Sequence, residues 1–251
     1  MGKNKKSNNN KKKSADKSNE TTGGGDIKSW LKKTKRFIWD DDSLASWIVN
    51  IILAFILVYF IIYPGLGLLL GTSHPVVAVV SGSMEHRITP VCASYDPFSN
   101  RCNEVDESRY RLCDAYFDER KRVDFELFWE TCGEWYEDKS ITKDEFRDFP
   151  LSNGFNTGDI IVLRGAPAED IEVGDVIVFH ATKNFPIIHR VVEKEERNGD
   201  YVFTTKGDHN KDAGIDDRKI NEDDIIGKAT FRIPYLGWVK LTAHNILHFF
   251  I

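Results

Sequence analysis

The segment VVAVVSGSMEHRI, residues 76–88, runs from β-branched side chains into two closely spaced serines. Its valines predict a short strand over residues 76–80, because β-branched side chains pack well on a pleated, half-buried surface. Ser81-Gly82-Ser83 then ends the strand, since serine and glycine favour turns. The serines either cap a strand or place one hydroxyl at a rigid strand end as a nucleophile. A serine hydroxyl is weak at its free pKa, so the second interpretation requires a base from elsewhere in the chain.

The first 36 residues form a basic segment that is poor in apolar side chains. They hold eleven Lys and one Arg against Asp16, Glu20 and Asp26. Such a segment cannot bury enough apolar surface to offset its chain entropy. We therefore predict a disordered basic tail over residues 1–42. A lysine-rich tail can bind nucleic acid, but the segment that follows points to a membrane, and no nucleic-acid partner is expected.

A long apolar segment follows the tail. Residues 44–63 read LASWIVNIILAFILVYFIIY, with Asn50 as the only strongly polar interior residue. Twenty residues at helical rise span about 30 Å, the thickness of a bilayer core. Trp47 and Tyr59 lie near its ends, as interfacial aromatic residues often do. A buried core helix is normally shorter and amphipathic, and the apolar part of a signal peptide is shorter. We therefore predict a transmembrane anchor over residues 43–71.

The charge distribution orients this anchor and agrees with the cysteine positions. Lys and Arg next to a membrane segment are retained on the cytoplasmic side, so the tail is predicted to be cytoplasmic and residues 72–251 extracytoplasmic. Cys92, Cys102, Cys113 and Cys132 all lie on the exported side, where disulfides persist. Their spacing contains no CxxC pair, so a structural zinc site is not expected. Three pairings of the four cysteines are open.

Short apolar segments bounded by Gly and Pro recur after residue 154. They read as strands, and Asn198-Gly199 is a strong hairpin signal. This spacing predicts a mainly β domain with a barrel-like core. The segments are GDIIVL (158–163), GDVIVF (174–179), IIHRVV (187–192), YVFTT (201–205) and ATFRI (229–233).

Residues 91–153 are different in character, being acidic and aromatic. Two sets of residues fall at i, i+3, i+4 and i+7 spacing, which is typical of one helix face. We therefore predict an α-helical, cysteine-bearing insertion, a helical hairpin joined by Cys113 and Cys132, with Cys92 and Cys102 closing a neighbouring loop. The sets are Phe125, Phe128, Trp129, Cys132, Trp135 and Tyr136, and Tyr110, Cys113, Tyr116 and Phe117.

The segment SITKDEF, residues 140–146, resembles the end of a calcium-binding loop. If Glu145 were the last ligand, however, Tyr136 would occupy the third position and Lys139 the glycine position. A capping box fits better, with Thr142 starting a helix and Glu145 reaching back.

Among the seven histidines, His189 is distinguished by its context. It lies inside the run IIHRVV, where a histidine is either satisfied in the core or faces a cleft with a partner. The segments TKGDHN (205–210) and KDAGIDD (211–217) supply carboxylates that could accept its Nδ1 proton and fix its tautomer, as the acid of a serine triad does. The alternative is an Asp/Asn/Gly turn that hydrogen-bonds its own backbone.

A series of motifs resembles the type I signal peptidases in its order along the chain. The motifs are, in this order, SGSMEH, GDIIVL, GDVIVF, IIHRVV and TKGDHN…GIDD. The match is to the archaeal and endoplasmic-reticulum branch, in which histidine stands in place of the bacterial catalytic lysine. RIPYLGWVKL, residues 232–241, is similar to the last strand of that family. The resemblance covers about residues 76–90 and 154–241 plus the anchor, but not 91–153. It implies a signal peptidase-like β-barrel or sandwich catalytic core with an N-terminal transmembrane helix.

The resemblance assigns roles to individual residues. Ser83 matches the nucleophile and His189 matches the general base. Ser81 matches a position whose hydroxyl joins the Ser83 backbone N–H in an oxyanion hole. Asp208 matches the acid of the GD motif.

The second family aspartate is harder to place, because its expected position is Gly214 and the loop is lengthened. Asp217 fits if DDR is aligned, and Asp216 fits if Gly-Ile-Asp is aligned. Asp212 is the third choice.

The implied function is a membrane-anchored serine endopeptidase that removes signal peptides from exported preproteins, without metal or organic cofactor. Its expected partners are signal-peptide-bearing preproteins, membrane lipid, and the secretion translocon or accessory subunits. The expected location is a membrane, that of the endoplasmic reticulum in a eukaryote. Two alternatives stay open. One is a Ser-Lys protease using Lys183, Lys194 or Lys206, and the other is a non-enzymatic, membrane-tethered module that recruits a partner through residues 91–153.

Overall fold

The computed structural model describes residues 24–96, 101–181 and 185–238. The chain divides into two units, Met1–Tyr59 and Phe60–Ile251. Some predicted features lie outside the described residues. These are tail residues 1–23, Lys183 and residues 239–241 of the RIPYLGWVKL segment.

The described residues of the first unit contain two helices, α1 (Gly24–Trp39) and α2 (Leu44–Leu57). The helix α1 occupies part of the segment predicted to be disordered, so the prediction is wrong for residues 24–39. Composition averaged over the tail hid a local helical period, because Ile27, Trp30 and Leu31 recur at i, i+3 and i+4 among lysines.

The apolar segment forms a continuous helix from Leu44 to Leu70. It passes from α2 through a π-helical turn, Val58–Ile62, into α3, Tyr63–Leu70. It has 27 residues, with a mean hydropathy of 2.5 over an 18-residue stretch, and it is the one helix in the described part of the chain that is long and apolar enough to cross a membrane. The helix ends where Gly71 takes a left-handed conformation, φ 65°, which glycine adopts without steric cost.

In its described residues the second unit is mixed, with two sheets and two further helices, α4 (Phe125–Glu137) and α5 (Lys143–Asp148). In chain order the described strands are β1 (Val76–Ala78), β2 (Thr89–Asp96), β3 (Arg101–Leu112), β4 (Ala115–Phe117), β5 (Ile160–Arg164), β6 (Val176–Phe179), β7 (Ile187–Arg197), β8 (Asp200–Lys206), β9 (Ile220–Asn221) and β10 (Ile225–Ile233). The larger sheet is an antiparallel half-barrel in the order β1-β5-β10-β6-β7-β8-β9, and the smaller has the order β2-β3-β4.

The insertion is only partly helical, which corrects the prediction of a helical hairpin over residues 91–153. Tyr110 and Phe117 face each other across β3 and β4, and Arg111 pairs with Tyr116. A tight hairpin therefore explains the apolar spacing that we attributed to a first helix. The second predicted face does lie on α4, and four of its six residues are buried. These are Phe128, Trp129, Cys132 and Tyr136.

Two disulfides tie the insertion together, in the pairing that the sequence analysis favoured. Cys113, in the turn after β3, is joined to Cys132 on α4, and Cys92 on β2 is joined to Cys102 on β3. The helix α5 starts at the predicted capping box, in which Thr142 and Glu145 bond each other's backbone. The sequence SITKDEF is therefore a helix start.

Phe146 is the centre of the aromatic cluster that attaches α4 and α5 to the larger sheet. Its side chain is completely buried. Its ring centroid lies 4.8 Å from that of Tyr136 and 5.5 Å from that of Trp129, and the Arg190 guanidinium lies 4.9 Å from the Phe146 ring. Packing of this ring therefore connects the insertion to β7.

Replacement of Phe146 by alanine is expected to lower the free energy of unfolding by about 3–5 kcal/mol, because a buried aromatic ring leaves a cavity. Urea unfolding of the detergent-solubilised chain measures this change. Tyr116→Ala is the control, since Tyr116 is 63% exposed and surface substitutions usually change stability by no more than about 0.5 kcal/mol. Equal losses in the two variants would contradict this account of the core.

Candidate active site

Ser83 lies in the turn that follows β1. The extended chain continues past β1, since the Val79 N–H donates to Asp159 O at 2.9 Å, and the turn then begins at Ser81. Met84, 1% exposed, anchors the turn in the core, and its carbonyl accepts from the Phe155 N–H at 3.1 Å. A buried residue next to Ser83 fixes the main chain, so the serine hydroxyl has a defined direction.

His189 stands on β7, an interior strand of the half-barrel. It pairs in register with Ile177 on β6 and is 7% exposed. Its Nε2 lies 3.0 Å from Ser83 Oγ, and its Nδ1 contacts the Asp217 carboxylate. A carboxylate can only accept, so Nδ1 carries the proton and Nε2 is free to accept from the Ser83 hydroxyl. The structure therefore brings a hydroxyl, an imidazole and a carboxylate into one hydrogen-bonded row.

Asp217 is held in place by β8 and by its own loop. Its carboxylate accepts from Thr205 Oγ1 at 2.7 Å and from the Gly214 N–H at 2.8 Å. Burial raises the pKa of this carboxyl, but the interactions with His189, Thr205 and the Gly214 N–H together outweigh burial, so the net pKa lies below its ordinary value. Asp217 therefore stays ionised at neutral pH and fixes the His189 tautomer.

Asp208 has a different environment, although it was the first acid that the resemblance indicated. It is fully buried and accepts from Arg190 at 3.0 and 2.8 Å and from the Tyr136 hydroxyl at 3.0 Å. His86 Nε2 lies 2.9 Å away. Burial raises the pKa of Asp208, but the Arg190 charge and the hydrogen bonds from His86 and Arg190 together outweigh burial and hold this pKa well below its ordinary value. These partners saturate the Asp208 carboxylate, and the acid at His189 is Asp217.

The remaining acid candidates are distributed along the lengthened loop. Asp216 is half-buried next to Asp217. Asp212 is exposed and accepts from Trp135 Nε1 at 3.0 Å, so its carboxylate is engaged by the insertion.

Ser81 and Gly207 border the hydroxyl of Ser83. Ser81 Oγ lies 3.3 Å from Ser83 Oγ. A Cβ on Gly207 would come within 2.8 Å of both His189 Nε2 and Ser83 O, closer than van der Waals contact allows. Glycine in the GD motif thus makes room for the approach of His189 to Ser83.

The described lysine candidates are engaged away from Ser83. Lys206 is buried, which lowers its pKa to about 8. Its Nζ donates to Gly207 O at 3.2 Å and lies 4.7 Å from the Tyr136 ring centroid. Lys194 Nζ donates to Glu169 O at 2.8 Å. The nitrogen that faces the Ser83 hydroxyl is that of His189.

Sequence reasoning missed three residues that support the site, namely Arg190, Thr205 and His86. Arg190 is fully buried, and besides Asp208 it bonds the carbonyls of Pro150, Gly174 and Leu151. An arginine in a β-branched run is itself a signal, because a buried charge requires a partner. Thr205 and His86 gave no comparable signal, since both are common in loops and strand ends.

His209, on the far side of the Ser83 turn, makes stability depend on pH. Burial lowers its pKa to about 4, against about 6.5 in an unfolded chain. The unfolded chain therefore binds the proton first, and about 3 kcal/mol of stability is lost as the pH falls from about 6.5 to about 4.

His209→Asn is expected to remove this part of the pH dependence, measured by urea unfolding at several pH values. An unchanged slope in this variant would contradict the assignment.

Comparison with known proteins shows which proteins the chain is similar to. No family model matches the chain. The signal peptidase complex catalytic subunit SEC11C of Homo sapiens is 32% identical over 105 residues, which is 38% of this chain and 53% of that protein. The catalytic subunit SEC11 of Eremothecium gossypii is 38% identical over 99 residues, 36% of this chain and 59% of that protein. That of Colletotrichum graminicola is 34% identical over 100 residues, covering 36% and 57%.

The chain spans just over half the length of the curated relatives it matches. These matches confirm the resemblance that the motifs indicated. Over about 100 residues, the chain is a homologue of the catalytic subunits of signal peptidase complexes, the endoplasmic-reticulum type of signal peptidase I.

Proposed function

We propose that the chain is a membrane-anchored serine endopeptidase that removes signal peptides from exported preproteins. The observation that carries this proposal is the contact of 3.0 Å between Ser83 Oγ and His189 Nε2, with Asp217 on the opposite ring nitrogen. The homology to catalytic subunits of signal peptidase complexes supports the choice of substrate. The half-barrel sheet is, in this proposal, the signal peptidase-like β-barrel or sandwich core.

The chemistry follows from the positions of the three side chains. His189 Nε2 takes the Ser83 proton as Oγ attacks the scissile carbonyl, and Asp217 stabilises the imidazolium that forms. The Ser83 N–H and the Ser81 hydroxyl are the donors to the developing oxyanion. The protonated His189 gives its proton to the departing amine. Water, deprotonated by His189, then hydrolyses the acyl-enzyme.

The edge of β1 supports binding of an extended substrate. In the described part of the chain β1 pairs on one side only, with β5, and Val80 between β1 and Ser83 is 67% exposed. An extended peptide can add to such an edge through main-chain hydrogen bonds. Signal sequences end in small residues of the A-x-A type, which suits an edge that leads directly to the nucleophile.

The apolar helix supports a membrane location for the reaction. Ser83 follows Leu70 by only 13 residues. Gly165 N–H donates to Leu70 O at 2.7 Å, and Thr72 Oγ1 donates to Ile226 O at 2.8 Å, so the helix end is attached to the sheet. We propose a cytoplasmic N-terminus, an extracytoplasmic catalytic domain, the endoplasmic-reticulum membrane as the location, and accessory subunits as partners.

A preprotein-cleavage assay with purified, folded variants tests this proposal. Ser83→Ala, His189→Ala and Asp217→Asn are each expected to lower kcat by at least about 10³-fold, because the triad acts as a unit. Asp212→Asn and Asp216→Asn are the matched acid controls and are expected to stay within about threefold of the parent chain.

The alternatives predict different outcomes of the same assay. Activity retained in His189→Ala would favour a lysine base. A rate that is the same for the parent chain and Ser83→Ala would contradict the serine mechanism. A folded parent chain that cleaves no preprotein would favour the non-enzymatic binding module.

A further inference from the structure

We propose that the cysteine-bearing insertion positions the nucleophile, and that His209 is the positioning residue through which it acts. This inference rests on the proposed function of Ser83. The His209 N–H donates to Ser83 O at 2.8 Å. Its side-chain Nδ1 lies 3.0 Å from Glu85 O and, facing a carbonyl, is the protonated ring nitrogen. One residue therefore holds the main chain on both sides of Met84.

The insertion holds His209 in turn. The Cys113 N–H donates to His209 O at 3.2 Å, and the Thr89 hydroxyl, at the start of β2, lies 3.1 Å from His209 Nε2. Cys113 has a left-handed backbone, φ 51°, which a non-glycine residue keeps only when its surroundings enforce it. The bond to Cys132 on α4 provides such enforcement.

The helix α4 reaches the same region by a second route. Tyr136 donates to Asp208, the residue before His209, at 3.0 Å. Phe128 stacks on His86, in the Ser83 turn, with ring centroids 3.6 Å apart. A displacement of about 1 Å at a nucleophile can cost about 100-fold in rate. The helix α4 therefore fixes both the Ser83 turn and the loop at Asp208 and His209. It affects the reaction through the position of Ser83, without touching substrate.

The two disulfides provide a matched experiment in the full-length chain. Cys113→Ser/Cys132→Ser is expected to lower kcat for preprotein cleavage by about tenfold or more, with KM within about twofold, per folded molecule. Cys92→Ser/Cys102→Ser is expected to leave kcat unchanged, because that disulfide lies in the exposed part of the β2–β3 hairpin. Equal kcat in both double variants would overturn this inference while leaving the proposed function intact.

Variants of His209 keep the test decisive if the Cys113–Cys132 variant does not fold. His209→Ala is expected to lower kcat about tenfold, and His209→Asn to restore most of it, because its amide nitrogen can replace Nδ1 as donor to Glu85 O. A purely stabilising role predicts instead that both variants keep the parent kcat per folded molecule and lose only folded fraction. A parent chain without any cleavage would refute the proposed function itself.

A separate observation concerns α1, and we infer that this helix lies in the headgroup region of the membrane leaflet where the apolar helix begins. Ile27, Trp30 and Leu31 share one face of α1 and are 54–64% exposed. Basic residues occupy the flanks and the opposite face. An exposed apolar stripe flanked by lysines is typical of helices that lie in a membrane interface.

Two hydrogen bonds fix the depth of α1 relative to α2. Ser46 Oγ donates to Phe37 O at 2.5 Å, and Asn50 Nδ2 donates to Ile38 O at 2.9 Å. Asn50 lies six residues past Leu44, about 9 Å along the helix at 1.5 Å per residue. The end of α1 therefore lies at the depth of an interfacial helix, about 5–10 Å. The hydrogen bond from Asn50 to Ile38 O also explains why the apolar segment contains the polar side chain of Asn50.

The charge of α1 indicates which lipids it contacts. Four Lys and one Arg stand against Asp26 within the helix, and seven further Lys precede it. Anionic headgroups attract basic residues that lie near the membrane surface. The surface that α1 fits is therefore an anionic lipid leaflet.

Fluorescent labelling of the full-length chain in vesicles tests this inference. All four native cysteines form disulfides, so Leu31→Cys or Lys32→Cys adds the only reactive thiol. A label at 31 is expected to be quenched by lipids brominated near the headgroup, more strongly in phosphatidylcholine–phosphatidylserine than in phosphatidylcholine vesicles. A label at 32 is expected to stay aqueous. Equal quenching at the two positions, or no gain with phosphatidylserine, would overturn the inference.

Discussion

The buried ion pair between Asp208 and Arg190 is the interaction on which the site depends. Both side chains are completely buried, so each charge is tolerable only because the other is present and further hydrogen bonds satisfy it. Arg190 belongs to β7, next to His189, while Asp208 follows β8 and lies beside the loop that holds Ser83. Tyr136 of the insertion completes the set. One pair therefore fixes three segments that are distant in sequence.

Asp208 and Asp217 have separate roles, which could not be assigned from the sequence alone. Asp208 is saturated by Arg190, His86 and Tyr136 and organises the scaffold, whereas Asp217 contacts His189 and accepts from Thr205. In the proposed mechanism, Asp217 orients the base. The permanent charge of Arg190 then lies on a different carboxylate from the one that orients His189, the side chain that would gain and lose the proton.

Ser83 and His189 could be selected from the sequence because a strong strand pattern marks each of them. Ser83 lies in the turn that follows a valine run, and His189 interrupts a β-branched run. The choice among Asp208, Asp216 and Asp217 could not be made, because it depends on the path of a lengthened loop. The hairpin of β3 and β4 was mistaken for a helix, since apolar residues facing across a turn mimic helical spacing. The helix α1 was missed because lysines around it dominate the composition.

The proposed function depends on one central claim, that Ser83 forms a covalent bond to its substrate. The insertion, the ion pair and the strand β7 support this claim because they hold Ser83 and His189 in place. Rapid acid quenching of the parent chain during preprotein cleavage, followed by peptide mass spectrometry, measures this directly. The account predicts an ester between Ser83 Oγ and the carboxyl end of the signal peptide at the cleavage site. Efficient cleavage with the acyl group on a different residue would contradict it.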